Sequence, residues 1–172
     1  MKKLLFALML VLISVMAFRN PVFSQESTND IAYNTKRPVL LSTEVETTSI
    51  NTKALRDLHK YFAVNGEVKW YKRQEGYMAI FMMDGAKYRV DYNSKGRWSG
   101  TLRNYTEDKL DRDIRSIIKS VYFDYSIKWV WEISVPVLPG GPVYIVHVED
   151  EKSFKNIEVH NGEMKVLEHY EK

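Results

Sequence analysis

No cysteine occurs anywhere in the 172 residues. That absence excludes disulfide staples, thiol nucleophiles and sulfur-ligated metal centres together, and it removes the usual lipid-attachment residue of bacterial lipoproteins. Glycine is also scarce, and the eight present build no phosphate-cradling loop. Ser99 precedes Gly100 but lacks the Gly-x-Ser-x-Gly elbow of a serine hydrolase. The Pro139-Gly140-Gly141-Pro142 stretch is a poor anion nest, because its prolines offer no backbone donors. It reads as a strand connection.

Net charge is missing too once the N-terminus is set aside. Lys2 and Lys3 precede an apolar run over residues 4–18 with Ser14 its one polar residue, and Val22 and Ser24 occupy the minus-three and minus-one positions of a signal-peptidase site. The run is shorter than the roughly 20 residues needed to cross a bilayer. A cleaved signal peptide over 1–24 is therefore expected, with a mature chain starting near Gln25 that is periplasmic or secreted. Cleavage removes Lys2, Lys3 and Arg19 and no acid, so the formal charge falls from +3 to zero. A neutral mature chain has no electrostatic footprint for nucleic acid or for an anionic membrane.

What remains is long enough for one domain that buries roughly two thirds of its unfolded surface. Residues 25–50 are polar, with one apolar patch at Val39-Leu40-Leu41 fit for a single short strand. In residues 53–63, Leu55, Leu58 and Phe62 fall at helical spacing, Asn51 or Thr52 can cap the start, and Asn65-Gly66 can end the helix. Strand-like runs follow at 67–73, 77–83, 86–92 and 97–103. Asp84-Gly85 between the second and third is the word of a tight hairpin. The pattern then restarts. Thr106 is a candidate N-cap, Glu107 and Asp108 suit the positive end of a helix, and Leu110, Ile114, Ile117, Ile118 and Val121 mark one apolar face. Strand-like runs return at 126–135, 143–149, 154–160 and 163–170, the last two joined by Asn161-Gly162.

GEVKWYKR at 66–73 and YSIKWVWE at 125–132 share the aliphatic-Lys-Trp word, 59 positions apart. Phe62 to Val121, Val68 to Ile127 and Trp70 to Trp129 keep that offset, which grows to about 66 in the later strands. The expectation is an α+β fold of two tandem helix-plus-four-strand repeats, 51–104 and 105–172, forming antiparallel sheet with the helices on one face. Each tryptophan would anchor its own repeat, burying on the order of 200 Å². Strict alternation would place Ile127, Trp129, Trp131 and Ile133 together against the helix.

No constellation of catalytic residues emerges. His59, His147, His160 and His169 lack metal-site spacing, and His147 and His160 read as solvated strand positions. Asp108, Asp111 and Asp113 lie in a helical stretch without the glycine of a calcium loop. Glu149 and Glu151 sit at a hairpin tip, where water keeps carboxyls ordinary. No enzyme, metal or cofactor is expected. A sheet surface is the better candidate. Residues 77–83 are apolar on both alternating faces, and 143–148 nearly so, although a helix layer covers only one face. Tyr71, Tyr88, Tyr92, Trp98, Trp131 and Tyr144 are the candidate partner-binding aromatics, with Met78, Met82 and Met83 as adaptable neighbours.

A signal peptide ahead of two helix-plus-four-strand units, each with an aliphatic-x-Trp word and a late turn glycine (Gly96, Gly162), resembles the PepSY-like, β-lactamase-inhibitor-like family of periplasmic proteins. The resemblance covers about residues 51–172. It implies tandem modules with helices on one side of an antiparallel sheet, and a non-catalytic binding role toward an extracytoplasmic protein or peptide, including inhibition of an enzyme. The namesake inhibitor carries disulfides, and this chain has none. Two other readings stand beside it: an enzyme or small-ligand carrier of the cystatin-like kind, whose sheet and helix enclose a pocket, or an envelope protein that only self-associates.

Overall fold

The structure, a computed structural model, describes residues 43–172. The expected signal peptide at 1–24, and the apolar patch at 39–41, lie outside the described residues. The elements run β1 (Thr43–Val45), a 3₁₀ turn (Thr47–Ser49), α1 (Thr52–Tyr61), β2 (Lys69–Arg73), β3 (Gly76–Met83), β4 (Ala86–Asn93) and β5 (Trp98–Tyr105). They continue with a second 3₁₀ turn (Glu107–Lys109), α2 (Arg112–Val121), β6 (Ser126–Ser134), β7 (Val143–Glu149), β8 (Ser153–His160) and β9 (Glu163–Glu171). Among the described residues no helix is long and apolar enough to cross a membrane.

The hairpin words act as the local chemistry dictates. Asp84 and Gly85 sit at φ 51° and 75°, and Asn161 and Gly162 at 53° and 77°, the left-handed pair that a two-residue turn requires. Each therefore joins adjacent antiparallel strands, β3 to β4 and β8 to β9.

The expectation of two tandem repeats is overturned. All nine strands form a single antiparallel sheet in the order β1 through β9. Its ladder runs unbroken across the expected boundary, where five residue pairs from Thr101↔Ser134 to Tyr105↔Val130 join β5 to β6. A ninth strand, β1, adds to β2 at one edge. Among the described residues two short helices, ten residues each, accompany this sheet.

The two tryptophans that defined the repeat have unrelated surroundings. Trp70 is 2% exposed and packs with Tyr92 in the core beneath the helices. Trp129 lies on the opposite face, stacked on His147. The cause is a β-bulge: Ile127 pairs with Val148 and Trp129 with His147, so Lys128 is an extra residue in β6. One inserted residue exchanges the faces of everything after it. Ile127 and Val130 thus point to the helices, and Trp129, Trp131 and Ile133 point away.

The helices seat on one face through Ala54 and Leu58 of α1 and Ile118 of α2, which are buried with Ala79, Val90, Val130, Val146, Val148, Ile157 and Val159. Burying a side chain the size of Leu58 or Ile118 contributes about 2–3 kcal/mol. The Asn51 side chain caps α1 by accepting from the Lys53 amide at 2.9 Å. Gly96, at φ 71° in the β4–β5 turn, lets that cap approach: a Cβ there would stand 2.6 Å from Asn51 Oδ1. The second helix starts later than the Thr106 cap predicts. The Thr106 hydroxyl engages the Asp108 carboxylate instead of a backbone amide, and Asp111 caps α2 by accepting from Asp113 N at 2.8 Å.

Candidate functional site

The pairing registers divide the nominated aromatics between two faces. Tyr88, Tyr92, Trp98 and Tyr144 share the face that carries the helices; Tyr71 and Trp131 are on the second face. Six residues that read as one surface are therefore two groups.

On the helix face, Tyr88 and Trp98 help to wall a cavity of about 510 Å³ between α1 and strands β4 to β6. The helix contributes Asp57 and Tyr61, one turn apart on the same side, and Phe62 follows at its end. The sheet contributes Thr101 and Arg103 from β5 and Glu132 and Ser134 from β6. The walls are fixed by ring packing and hydrogen bonds. Tyr88 stacks on Phe81 at 5.2 Å and takes the edge of Phe62 at 5.7 Å. The Trp98 indole N–H donates to Thr101 Oγ1 at 2.9 Å.

Charge in the cavity is unevenly satisfied. Arg103 Nη1 and the Tyr105 hydroxyl both donate to Glu132 Oε2, at 3.2 and 2.8 Å. The Arg103 guanidinium also lies 4.5 Å from the Tyr105 ring and 5.6 Å from the Tyr88 ring. Burial, then the Glu132 carboxylate, pushes the Tyr105 phenol well above its ordinary range. Tyr144, opposite Glu132 across β6 and β7, is raised by burial first and by Glu132 and Asp111 after it. Asp57 has no cationic partner among the described residues. Behind it stands the buried Tyr92 hydroxyl, close enough for burial and then Asp57 to drive its phenol upward, yet without a hydrogen bond of standard geometry.

The second face carries a different arrangement. Trp131, Trp129, His147, Phe154 and Tyr170 form a row across β6 to β9, with ring centroids 4.6, 4.6, 5.3 and 4.9 Å apart in turn. Rings this close pack against one another along β6 and across β6 to β9, reinforcing the sheet on that face.

His147 is 8% exposed, contrary to the solvated position expected of it. Its Nδ1 meets Asn156 Oδ1 at 2.8 Å and its Nε2 meets Glu149 Oε1 at 3.0 Å. Asn156 donates onward to Glu168 at 2.6 Å, and Lys172 donates to Glu149 at 3.3 Å. The hydrogen bond from His147, helped by Lys172 against a small burial effect, holds the Glu149 carboxyl below its usual range.

A shallower depression of about 550 Å³ near the end of β7 mixes Asp124, Glu149, Asp150 and Glu151 with Lys128, Lys152 and Lys172. Its four carboxylates and three ammonium groups intermix to a formal charge of −1, with no aromatic side chain in the lining.

Sequence reasoning found Tyr88 and Trp98 but missed Asp57, Arg103 and Glu132. Asp57 read as one polar position on a helix flank. Glu132 was hidden by the bulge, which turns it toward the helices although it alternates with the tryptophans.

No protein-family model matches the sequence, and no curated protein matches it. Solved structures do share the fold. A protein provisionally described as periplasmic, from Bacteroides eggerthii, is 19% identical over 71% of this chain and 88% of its own, with a TM-score of 0.53. A DUF2874 family protein from Bacteroides ovatus is 18% identical over 72% and 88%, at 0.54. A BLIP-like protein from Bacteroides fragilis is 18% identical over 71% and 86%, at 0.55. The last agrees with the inhibitor-like half of the resemblance drawn from the sequence; none of these carries the PepSY-like half. The periplasmic or secreted location expected from the N-terminus matches the compartment given for the eggerthii protein.

Proposed function

We propose that the mature chain is a non-catalytic periplasmic binding protein that engages an extracytoplasmic protein or peptide through the second face of its sheet. The observation that carries this reading is the composition of that face. Ile80 and Met82 of β3 and Trp129 and Trp131 of β6 lie on it at least partly exposed, away from both described helices, while Met78, Ile133, Val143 and Ile145 on the same face are buried. A solvated sheet face alternates toward polar residues instead. Met82 and Tyr170 are 58% and 43% exposed there, and Tyr71 and Trp131 are partly exposed. Large aromatic and methionine side chains are the groups that dominate protein interfaces. The signal-peptide pattern and the fold shared with a BLIP-like protein support the same reading.

The experiment is capture from a periplasmic extract with a photo-crosslinking residue at position 71 or 131, against a control at exposed Val121 of α2. Docking on the second face predicts a discrete adduct from 71 or 131, lost when unlabelled protein competes and absent from 121. Equal adducts from all three positions, or adducts from 121 alone, would refute it.

A further inference from the structure

We infer that the cavity between α1 and strands β4 to β6 is a binding site for an alkylammonium group, one positive charge on an apolar stem. This does not rest on the second-face proposal, since the two sites lie on opposite sides of the sheet.

The argument is one of charge complementarity inside an aromatic wall. Asp57, Glu132 and Arg103 give the cavity a formal charge of −1. Arg103 is already committed to Glu132, so the uncompensated group is the Asp57 carboxylate. Tyr61, Phe62, Tyr88 and Trp98 line the same cavity. Their faces attract a cation and their area receives methylene groups, so charge and stem are both accommodated. An anion would meet two carboxylates against one guanidinium that is already paired.

The molecule shows the same preference with its own side chains. Arg103 lies against the rings of Tyr88 and Tyr105, and Lys60 Nζ sits 4.9 Å from the Tyr61 ring centroid. Neither forms an ion pair with Asp57. The buried Tyr92 hydroxyl stands near that carboxylate and is neutral, so it does not compensate the charge.

The test follows the Trp98 indole N–H resonance of the purified protein through titrations with four probes. These are n-hexylammonium, N-acetyl-lysine methylamide, the neutral isostere N-acetyl-norleucine methylamide, and hexanoate. The expected result is saturable binding of at least one ammonium probe, about tenfold or more tighter than the neutral isostere, with hexanoate weakest. Tighter hexylammonium identifies a free amine as the ligand, and tighter acetyl-lysine methylamide identifies a lysine side chain of a peptide. The D57N variant should abolish the preference for charge while leaving the norleucine probe unchanged. Equal affinity for charged and neutral probes, preference for hexanoate, or no saturation up to about 10 mM would overturn the proposal. The discrimination among probes by the unaltered protein decides the matter even if D57N does not fold.

Discussion

Asp150 shows how a single partly exposed side chain can hold a turn. Some burial opposes its charge, but the Lys152 and Ser153 amides donate to its carboxylate at 2.9 and 2.6 Å, and its pKa is held down at about 2. A depressed carboxyl stabilises the fold above its unfolded pKa of about 3.9, and that contribution is lost as pH falls toward 2. Asp150→Ala should therefore melt below the unaltered protein at pH 7, and the gap should close near pH 2; thermal melts at the two pH values check this. Ile118 makes the complementary case in the core. It is fully buried where α2 meets the sheet. Ile118→Ala should cost about 2–5 kcal/mol in urea unfolding, through lost burial and the cavity left behind.

At the scale of elements, two devices set the architecture. The first is Gly96, whose left-handed backbone and missing side chain let the β4–β5 turn touch the cap of α1. Gly96→Ala combines the strain of a positive φ with displacement of Asn51, so a loss of about 2–3 kcal/mol is expected from denaturant titration. The second is the bulge at Lys128. Deleting Lys128 would restore strict alternation and swing Trp129, Trp131 and Ile133 under the helices, where Val130 now fits without any exposure. The deletion should cost at least about 4 kcal/mol or prevent folding, read from the same titration.

These two devices also explain what could and could not be read beforehand. Strand spans, the Asp84-Gly85 and Asn161-Gly162 turns and the Asn51 cap follow from short-range chemistry, so they were visible in the residues themselves. A bulge leaves no mark in composition. Periodicity assigned Trp129 to the face of Trp70, and one uncounted residue sent it to the other. Whether two halves make separate modules or one sheet depends on the β5–β6 ladder, a pairing that no local pattern encodes. The candidate site suffered likewise. Tyr88 and Trp98 were nominated for ring chemistry alone, whereas Asp57 and Glu132 gain meaning only when register and helix placement bring them to one cavity.

At the largest scale, the described strands form one sheet with two unlike faces. Because the ladder is continuous from β1 to β9, unfolding should be a single transition, with far-ultraviolet circular dichroism and tryptophan fluorescence coincident in urea. Two separated transitions would indicate halves that fold apart. Division of labour between the faces is the larger claim. One packs the helices and walls the cavity for which we infer a cation, and the other carries the apolar and aromatic groups through which we propose that a partner docks. The four indole N–H signals sample both, since Trp70 is buried under the helices, Trp98 walls the cavity, and Trp129 and Trp131 stand on the second face. Their spectrum should be recorded with and without the crosslinked partner, isolated in its unlinked form. Docking on the second face requires Trp129 and Trp131 to shift while Trp70 stays in place; movement of Trp70 with Trp129 and Trp131 unmoved would contradict it.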